Sequence, residues 1–359
     1  MSPHQRIATL LETLYGSAAV PTLQRRLLEL IQTPPGQPAA PPRGSLPLTE
    51  RDVLLITYGD QVRAPDEPPL RTLADFCERH FREAISGVHL LPHFPYTSDD
   101  GFAVTDYRAV DPGLGTWDDV ARLGASFDLM FDAVFNHLSA SSEWFQRFLA
   151  GDPAFRDFFV TVTGRPDLSQ VVRPRALPLL TRFTGAAGPL EVWTTFSADQ
   201  VDLNFKNPDV LLALIDVLRF YVRQGARFLR LDAIAYLWKE IGTSCIHLPQ
   251  THAVIQLLRA VLDVMAPSVM LITETNVPHA DNVSYFGDGT NEAQLVYNFA
   301  LPPLLAHALL RGDATHLARW ARTLELPSDQ VTFSISRPPT TGLASTRRGV
   351  CCRRRKSNS

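Results

Sequence analysis

Apolar residues recur at three- and four-residue steps through residues 1–33, at Ile7, Leu10, Leu11 and Leu14 and then at Leu23, Leu27, Leu28, Leu30 and Ile31, the period of amphipathic helix. Residues 34–47, PPGQPAAPPRGSLP, break that period, because proline removes a backbone donor and clashes with the preceding helical turn. A helical extension (1–33) and a proline-rich linker (34–49) are therefore expected ahead of a main body that begins near residue 50. From there the pattern changes to short apolar runs separated by longer stretches of helical period, as in successive βα units on a parallel sheet. Strands are predicted at 52–58, 87–93, 127–135, 226–232, 269–274, 293–299 and 331–335. Seven such runs predict an α/β fold, an incomplete (β/α)8 TIM barrel over residues 50–333. Between the third and fourth runs one clear helix is predicted, NPDVLLALIDVLRFYVRQG at 207–225. Residues 138–205 hold aromatics, prolines and arginines and read as an inserted subdomain or long lid, since such a length exceeds an ordinary connection.

Composition narrows the partner. With 359 residues, 45% hydrophobic, the chain can bury a large core. A formal charge of −3 and a pI near 6.4 supply no basic footprint for nucleic acid or an anionic membrane, so a small molecule is the expected partner. No apolar run approaches the roughly 20 residues of a membrane span. The opening MSPHQRIATLLETLYG lacks the apolar core and cleavage site of a signal peptide, and a cytoplasmic address is expected. Cys77, Cys245, Cys351 and Cys352 show no zinc-ligand spacing, and no metal or organic cofactor is expected.

Reactive groups of a (β/α)8 barrel gather where its strands end. There the chain places DDGFAVTDY (99–107), DAVFNH (132–137), Arg230 and Asp232 in ARFLRLDAIAY (226–236), and Glu274 in VMLITET (269–275). Taken singly these are ordinary: a strand-end acid is usually a cap or salt-bridge partner, Asn136 and His137 can serve loop backbone, and Asp99-Asp100-Gly101 reads as a turn. Together, at consecutive strand ends, they favour a site. Two carboxylates about 5 to 5.5 Å apart are what retaining glycosyl transfer requires. Arg230, two residues before Asp232, shares its face and is expected to hold that carboxylate ionised and oriented. Glu274, flanked by Ile272, Thr273 and Thr275, is expected to have its pKa raised and to act as the acid.

DAVFNH, ARFLRLDAIAY and ITET resemble, in order and separation, signature regions of the α-amylase superfamily. ITYGDQV, GVHLLPHFPYTSDDGFAVTDYRAVDPGLGTWDDV, RPRALPLL, VWTTFSADQVDLNF, KEIGTS and YNFALPPLLAHAL resemble its sucrose phosphorylase subgroup, and in it the glucosylglycerate and sucrose 6'-phosphate phosphorylase branch. The resemblance covers about residues 50–333. It implies Asp232 as the nucleophile forming a β-glucosyl enzyme, Glu274 as general acid/base and Arg230 as the group orienting the nucleophile. It implies Asp100, Phe102 and His137 around the transferred glucose, with Phe196 and Tyr236 as walls. Arg175, in RPRALP, becomes the candidate contact for phosphate or an anionic acceptor. The implied reaction is α-glucoside plus phosphate giving α-glucose 1-phosphate plus free acceptor, without metal or cofactor.

After Phe333 the text departs from the family. Thr340, Thr341 and Gly342 stand where the resemblance calls for a His-Asp-Gly run whose aspartate steadies the oxocarbenium-like transition state. Moving the codon boundary one base upstream, with suitable degenerate codons, restores that run, so a lost base near Phe333 and an aberrant, disordered tail over 334–359 are expected. The basic cluster Arg353, Arg354, Arg355 and Lys356 falls in that tail and is read as a by-product of it. Without the aspartate and an eighth strand, weak or absent turnover is expected. Two other readings stay open, an α-glucoside hydrolase using the same carboxylates and a sugar-binding fragment without turnover. Glycerate, fructose and fructose 6-phosphate remain equally open as acceptor.

Overall fold

A computed structural model of the protein describes residues 1–32, 48–49 and 51–334. The expected linker, apart from residues 48–49, and the expected tail, apart from Ser334, lie outside these. The chain divides into two compact units, residues 1–296 with 326–332, and residues 297–325 with 333–359.

The first unit opens with α1 (Pro3–Tyr15) and α2 (Val20–Gln32). Ser2 and Gln5 form a reciprocal capping box that satisfies the first free amides of α1. Ile7, Leu11 and Leu14 of α1, with Leu23, Leu27 and Ile31 of α2, are the buried stripe that the period announces. α1 lies on α7 (Pro249–Met265), and α2 on α6 (Pro208–Arg223).

The sheet strands are β1 (Leu54–Thr57), β2 (Gly87–Leu90), β3 (Asp128–Ala133), β9 (Ala226–Leu231), β10 (Met270–Thr273), β11 (Leu295–Tyr297) and β12 (Thr332–Ser334). They are ordered β1-β2-β3-β9-β10-β11-β12, and the neighbours from β1 to β11 run parallel. Every apolar run predicted as a strand is one, and the fold is an incomplete (β/α)8 barrel. Each strand is shorter than its apolar run because the chain leaves the ladder while still buried: His93, Phe94, Val134 and Phe135 lie beyond their strands with almost no exposure. Between strands stand α3 (Pro69–Phe81), α4 (Trp117–Gly124), α6 and α7. The expected helix at 207–225 is α6, capped by the Asn207 side chain, which accepts from the Asp209 amide at 2.9 Å. Buried leucine and valine run along α6 and α7, at about 1.5–3 kcal/mol for each side chain removed from water.

Between β3 and α6 the chain forms β4 (His137–Ser139), α5 (Glu143–Leu149), β5 (Thr161–Val162), β6 (Leu180–Gly185), β7 (Gly188–Trp193) and β8 (Gln200–Asp202). β4 pairs antiparallel with β8, and β5-β7-β6 make a separate antiparallel sheet. β4 and β8 carry no period visible in sequence: each has three residues, and their polar positions are as buried as their apolar ones. α8 (His279–Val283) follows β10. The second unit contains α9 (Leu301–Arg311) and α10 (Thr315–Ala321), and in α9 the side chains of Leu309 and Leu310 are exposed. Among the described residues no helix is long and apolar enough to cross a membrane.

Candidate active site

β9 and β10 pair in register, Leu231 opposite Thr273, so the next residue of each, Asp232 and Glu274, leaves its strand at the same level. Adjacent strands lie about 4.8 Å apart, so the two acids leave neighbouring strands side by side. A single guanidinium joins them. Arg230 Nη1 donates to Asp232 Oδ1 at 2.9 Å, and its Nη2 lies 3.9 Å from Glu274 Oε1. The same Nη1 donates to Asp132, which the register of β3 on β9 sets directly opposite Arg230. Asp132, buried, is held from the other side by His89 Nε2 at 3.0 Å.

Three carboxylates thus converge on one cation, and they divide its charge unequally. Burial alone would raise the Asp132 carboxyl, but His89 and Arg230 hold it below the usual carboxylate range. Asp232 goes the other way. Burial pushes it up to about 7, against the pull of Arg230 and with help from Glu274 and Asp132. Of the expectation that Arg230 holds Asp232 ionised and oriented, the hydrogen bond bears out the orientation, while the charge is corrected: Arg230 is shared with Asp132, and Asp232 lies deeper than Glu274, its side chain 12% exposed against 25%. Ala233, next in the chain, takes a left-handed backbone conformation (φ 49°), which costs about 1–2 kcal/mol in a non-glycine residue. That turn points the Ala233 amide at Glu274 Oε2, 3.4 Å away.

The other expected residues surround this cluster. The Arg230 guanidinium sits over the Phe102 ring, 5.4 Å from its centre, in cation–π contact. His137, buried, reaches the Phe102 carbonyl through Nε2 at 3.0 Å and receives the Asn136 amide at Nδ1. Burial lowers its pKa foremost and favours the neutral ring. Phe196 packs on His137 (centroids 5.2 Å) and edge-on against Tyr236 (5.5 Å). Burial and then the charge of Glu274 push the Tyr236 hydroxyl up to about 12. Asp100 (φ 52°) follows Asp99 (φ 56°) in a left-handed turn closed by Gly101 (φ 104°), where a Cβ would meet Pro92 at 2.9 Å. Arg175 stands at the rim, nearly half exposed, its Nη2 3.2 Å from Asp99. Asp99 also accepts from Gln200 Nε2 at 2.9 Å, and that amide lies 3.1 Å from His137 Nε2. Eight of the nine expected residues are thus linked through these contacts, while Asp100 stands exposed in the adjoining turn.

Sequence reasoning missed Asp132, His89, Tyr58 and Gln200. Asp132 lies within its apolar run, with Ala133, Val134 and Phe135 after it, and so lacks the strand-end signal that marks Asp232. Tyr58, next after β1, is pushed up to about 12 by burial and then by Asp100 and Asp132, so it too faces the cluster. Gln200 sits on β8, whose pairing no local pattern reveals.

The catalytic-domain model of the α-amylase family matches residues 84–324. The chain belongs to the α-amylase family. Within it the chain falls in the sucrose phosphorylase subgroup. A glucosylglycerate phosphorylase of Spirochaeta thermophila is 53% identical over 337 residues, covering 93% of this chain and 57% of that protein. A sucrose phosphorylase of Agrobacterium vitis is 36% identical over 283 residues, covering 76% of this chain and 56% of the relative. The solved sucrose 6F-phosphate phosphorylase of Thermoanaerobacter thermosaccharolyticum superposes with a TM-score of 0.71 at 27% identity, covering 84% of this chain and 64% of that one. This chain spans less than two thirds of the length of these family members. Among the described residues no group of three or more His, Cys, Asp or Glu side chains is placed to hold a metal ion.

Proposed function

We propose that this chain carries the machinery of a retaining glucoside phosphorylase acting on α-glucosylglycerate. The carrying observation is the single Arg230 guanidinium between Asp232 and Glu274 at adjacent strand ends. Asp232 attacks the anomeric carbon, and its new bond replaces the bond to glycerate. Glu274 gives its proton to the departing oxygen. Phosphate then displaces Asp232 from the same carbon, Glu274 recovers a proton from it, and two inversions give α-glucose 1-phosphate. Binding of substrate over Asp232 brings its positive-going anomeric centre to a carboxyl that burial has pushed up, and favours the ionised form in the transition state. Phe102 and His137 border the glucosyl ring, Phe196 and Tyr236 wall it, Asp100 supplies an acceptor, and Arg175 at the rim meets phosphate or the glycerate carboxylate. Glycerate is favoured over fructose because the relative that is 53% identical over 93% of the chain is a glucosylglycerate phosphorylase.

The test is phosphate-dependent release of α-glucose 1-phosphate from glucosylglycerate, sucrose and sucrose 6'-phosphate in parallel. Release from glucosylglycerate alone supports the proposal. Free glucose at a rate indifferent to phosphate would make the chain a hydrolase instead.

A second reading has its own observation: residues 330–359 contain no carboxylate, so the third acid of the resemblance has no counterpart there. On that reading a lesion near Phe333 leaves a pocket that binds glucosides and turns them over slowly. Calorimetric binding of glucose without phosphorolysis would select it. The coding sequence around Phe333 tests the lesion itself, since no one-base insertion should restore a long open frame if the tail is genuine.

A further inference from the structure

We infer that Lys239 is a positioning residue for the glucosyl pocket, its buried ammonium tying together the three segments that carry His137, Phe196 and Tyr236. This rests on the reading of that pocket as the glucosyl site. Lys239 lies just beyond the turn Ile234–Tyr236, and its side chain is 3% exposed. Nζ donates to Asn136 Oδ1 at 2.8 Å and pairs with Asp202 Oδ2 at 2.7 Å. Asn136 directly precedes His137, and its amide donates to Asp202 Oδ2 at 3.2 Å. Asp202 also accepts from the amide (3.0 Å) and hydroxyl (2.5 Å) of Thr195, the residue before Phe196. The β4–β8 register sets His137 opposite Asp202.

A buried lysine–aspartate pair is a weak device for stability, because desolvating both ions offsets most of their attraction, and apolar side chains of equal volume serve as well. Its advantage here is direction. An ammonium fixes an amide oxygen and a carboxylate from separate segments in one place, and each segment then holds one pocket wall. The charges facing His137 are Lys239, Asp202 and Asp99, and its remaining neighbours are neutral: Asn136, Gln200, the Phe102 carbonyl and the Phe196 ring. Burial lowers the His137 pKa foremost and Lys239 lowers it further, while Asp202 and Asp99 raise it. Removing the ammonium alone leaves Asp202 to pull a proton onto His137.

The experiment compares the parent with Lys239→Met and Lys239→Met/Asp202→Asn. It follows the His137 ring by NMR of histidine-labelled protein across pH and measures glucose binding by calorimetry. In Lys239→Met the His137 midpoint is expected to rise by about half a pH unit or more, and glucose affinity to fall roughly tenfold. The double variant is expected to return the midpoint towards the parent's while affinity stays roughly tenfold low. An unmoved midpoint in folded Lys239→Met, or an affinity loss under about threefold in either variant, overturns the inference. Should Lys239→Met fail to fold, affinity in the double variant decides on the same threshold. If the parent itself binds no glucose, the glucosyl reading fails, and the His137 midpoint together with the Phe196 and Tyr236 ring shifts still decides the positioning role.

Discussion

Strands β3 and β9 bring arginine to aspartate at both of their ends, and the two contacts differ in kind. Where the strands begin, Arg227 Nε lies 3.2 Å from Asp128 Oδ2, an ion pair between two buried residues. Where they end, Arg230 lies within 4 Å of Asp132, Asp232 and Glu274. The first matches a cation with an anion, as a buried charge requires to be tolerated at all. The second places more carboxylates than one guanidinium can neutralise, so one of them, Asp232, is left at an energetic disadvantage that burial sets. One β-pair thus carries a structural contact at one end and stored reactivity at the other.

Substitution at each end is the most direct way to break this contrast. Asp232→Asn should lower phosphorolysis by roughly 10⁴-fold, the scale on which a catalytic carboxylate is lost, while the protein stays folded. Rates with glucosylglycerate and phosphate, read beside circular dichroism, check both halves. Asp128→Asn should do the opposite, since it removes the negative charge paired with a buried guanidinium: about 3–5 kcal/mol of stability lost in denaturant melts, with the rate of the folded fraction nearly unchanged. If Asp128→Asn abolished turnover in folded protein, the two ends would not be separable.

The pH dependence sharpens the contrast further. Burial raises Asp232 from an unfolded value near 3.8 to about 7, so over that interval the native state keeps a proton that the unfolded chain has released. Stability from this group is present at low pH and lost as pH climbs through about 7. Asp232→Asn removes the dependence. Its melting temperature should draw level with the parent near pH 4 and exceed it at pH 8, by on the order of a few kcal/mol in stability. Parallel melting curves at every pH would show that Asp232 is not raised. The smallest effect belongs at the rim: Arg175→Ala should change stability by less than about 0.5 kcal/mol yet raise KM for phosphate up to about tenfold with kcat nearly kept.

Much of the architecture is legible in the chain. The seven apolar runs became the seven strands, because a strand buried on both faces must be apolar along its length, and the acids that end those runs stand out against them. Asp232, Glu274 and Arg230 were readable on those grounds. β4 and β8 were not, since strands of three buried residues carry no period, and with them went Gln200 and the Lys239–Asp202 pair. Asp132 was hidden for another reason: its importance comes from the register that puts it opposite Arg230, and register is a property of two strands.

By itself the sequence determined the order of βα units, the helical character of the opening residues and which carboxylates stand at strand exits, because periodicity and local chemistry act between near neighbours in the chain. Only the tertiary structure decided how one guanidinium is divided among three acids, which acid is pushed up, and which buried lysine fixes the pocket walls. Those outcomes depend on desolvation and on distances between residues far apart in the chain, and neither is written in any local pattern.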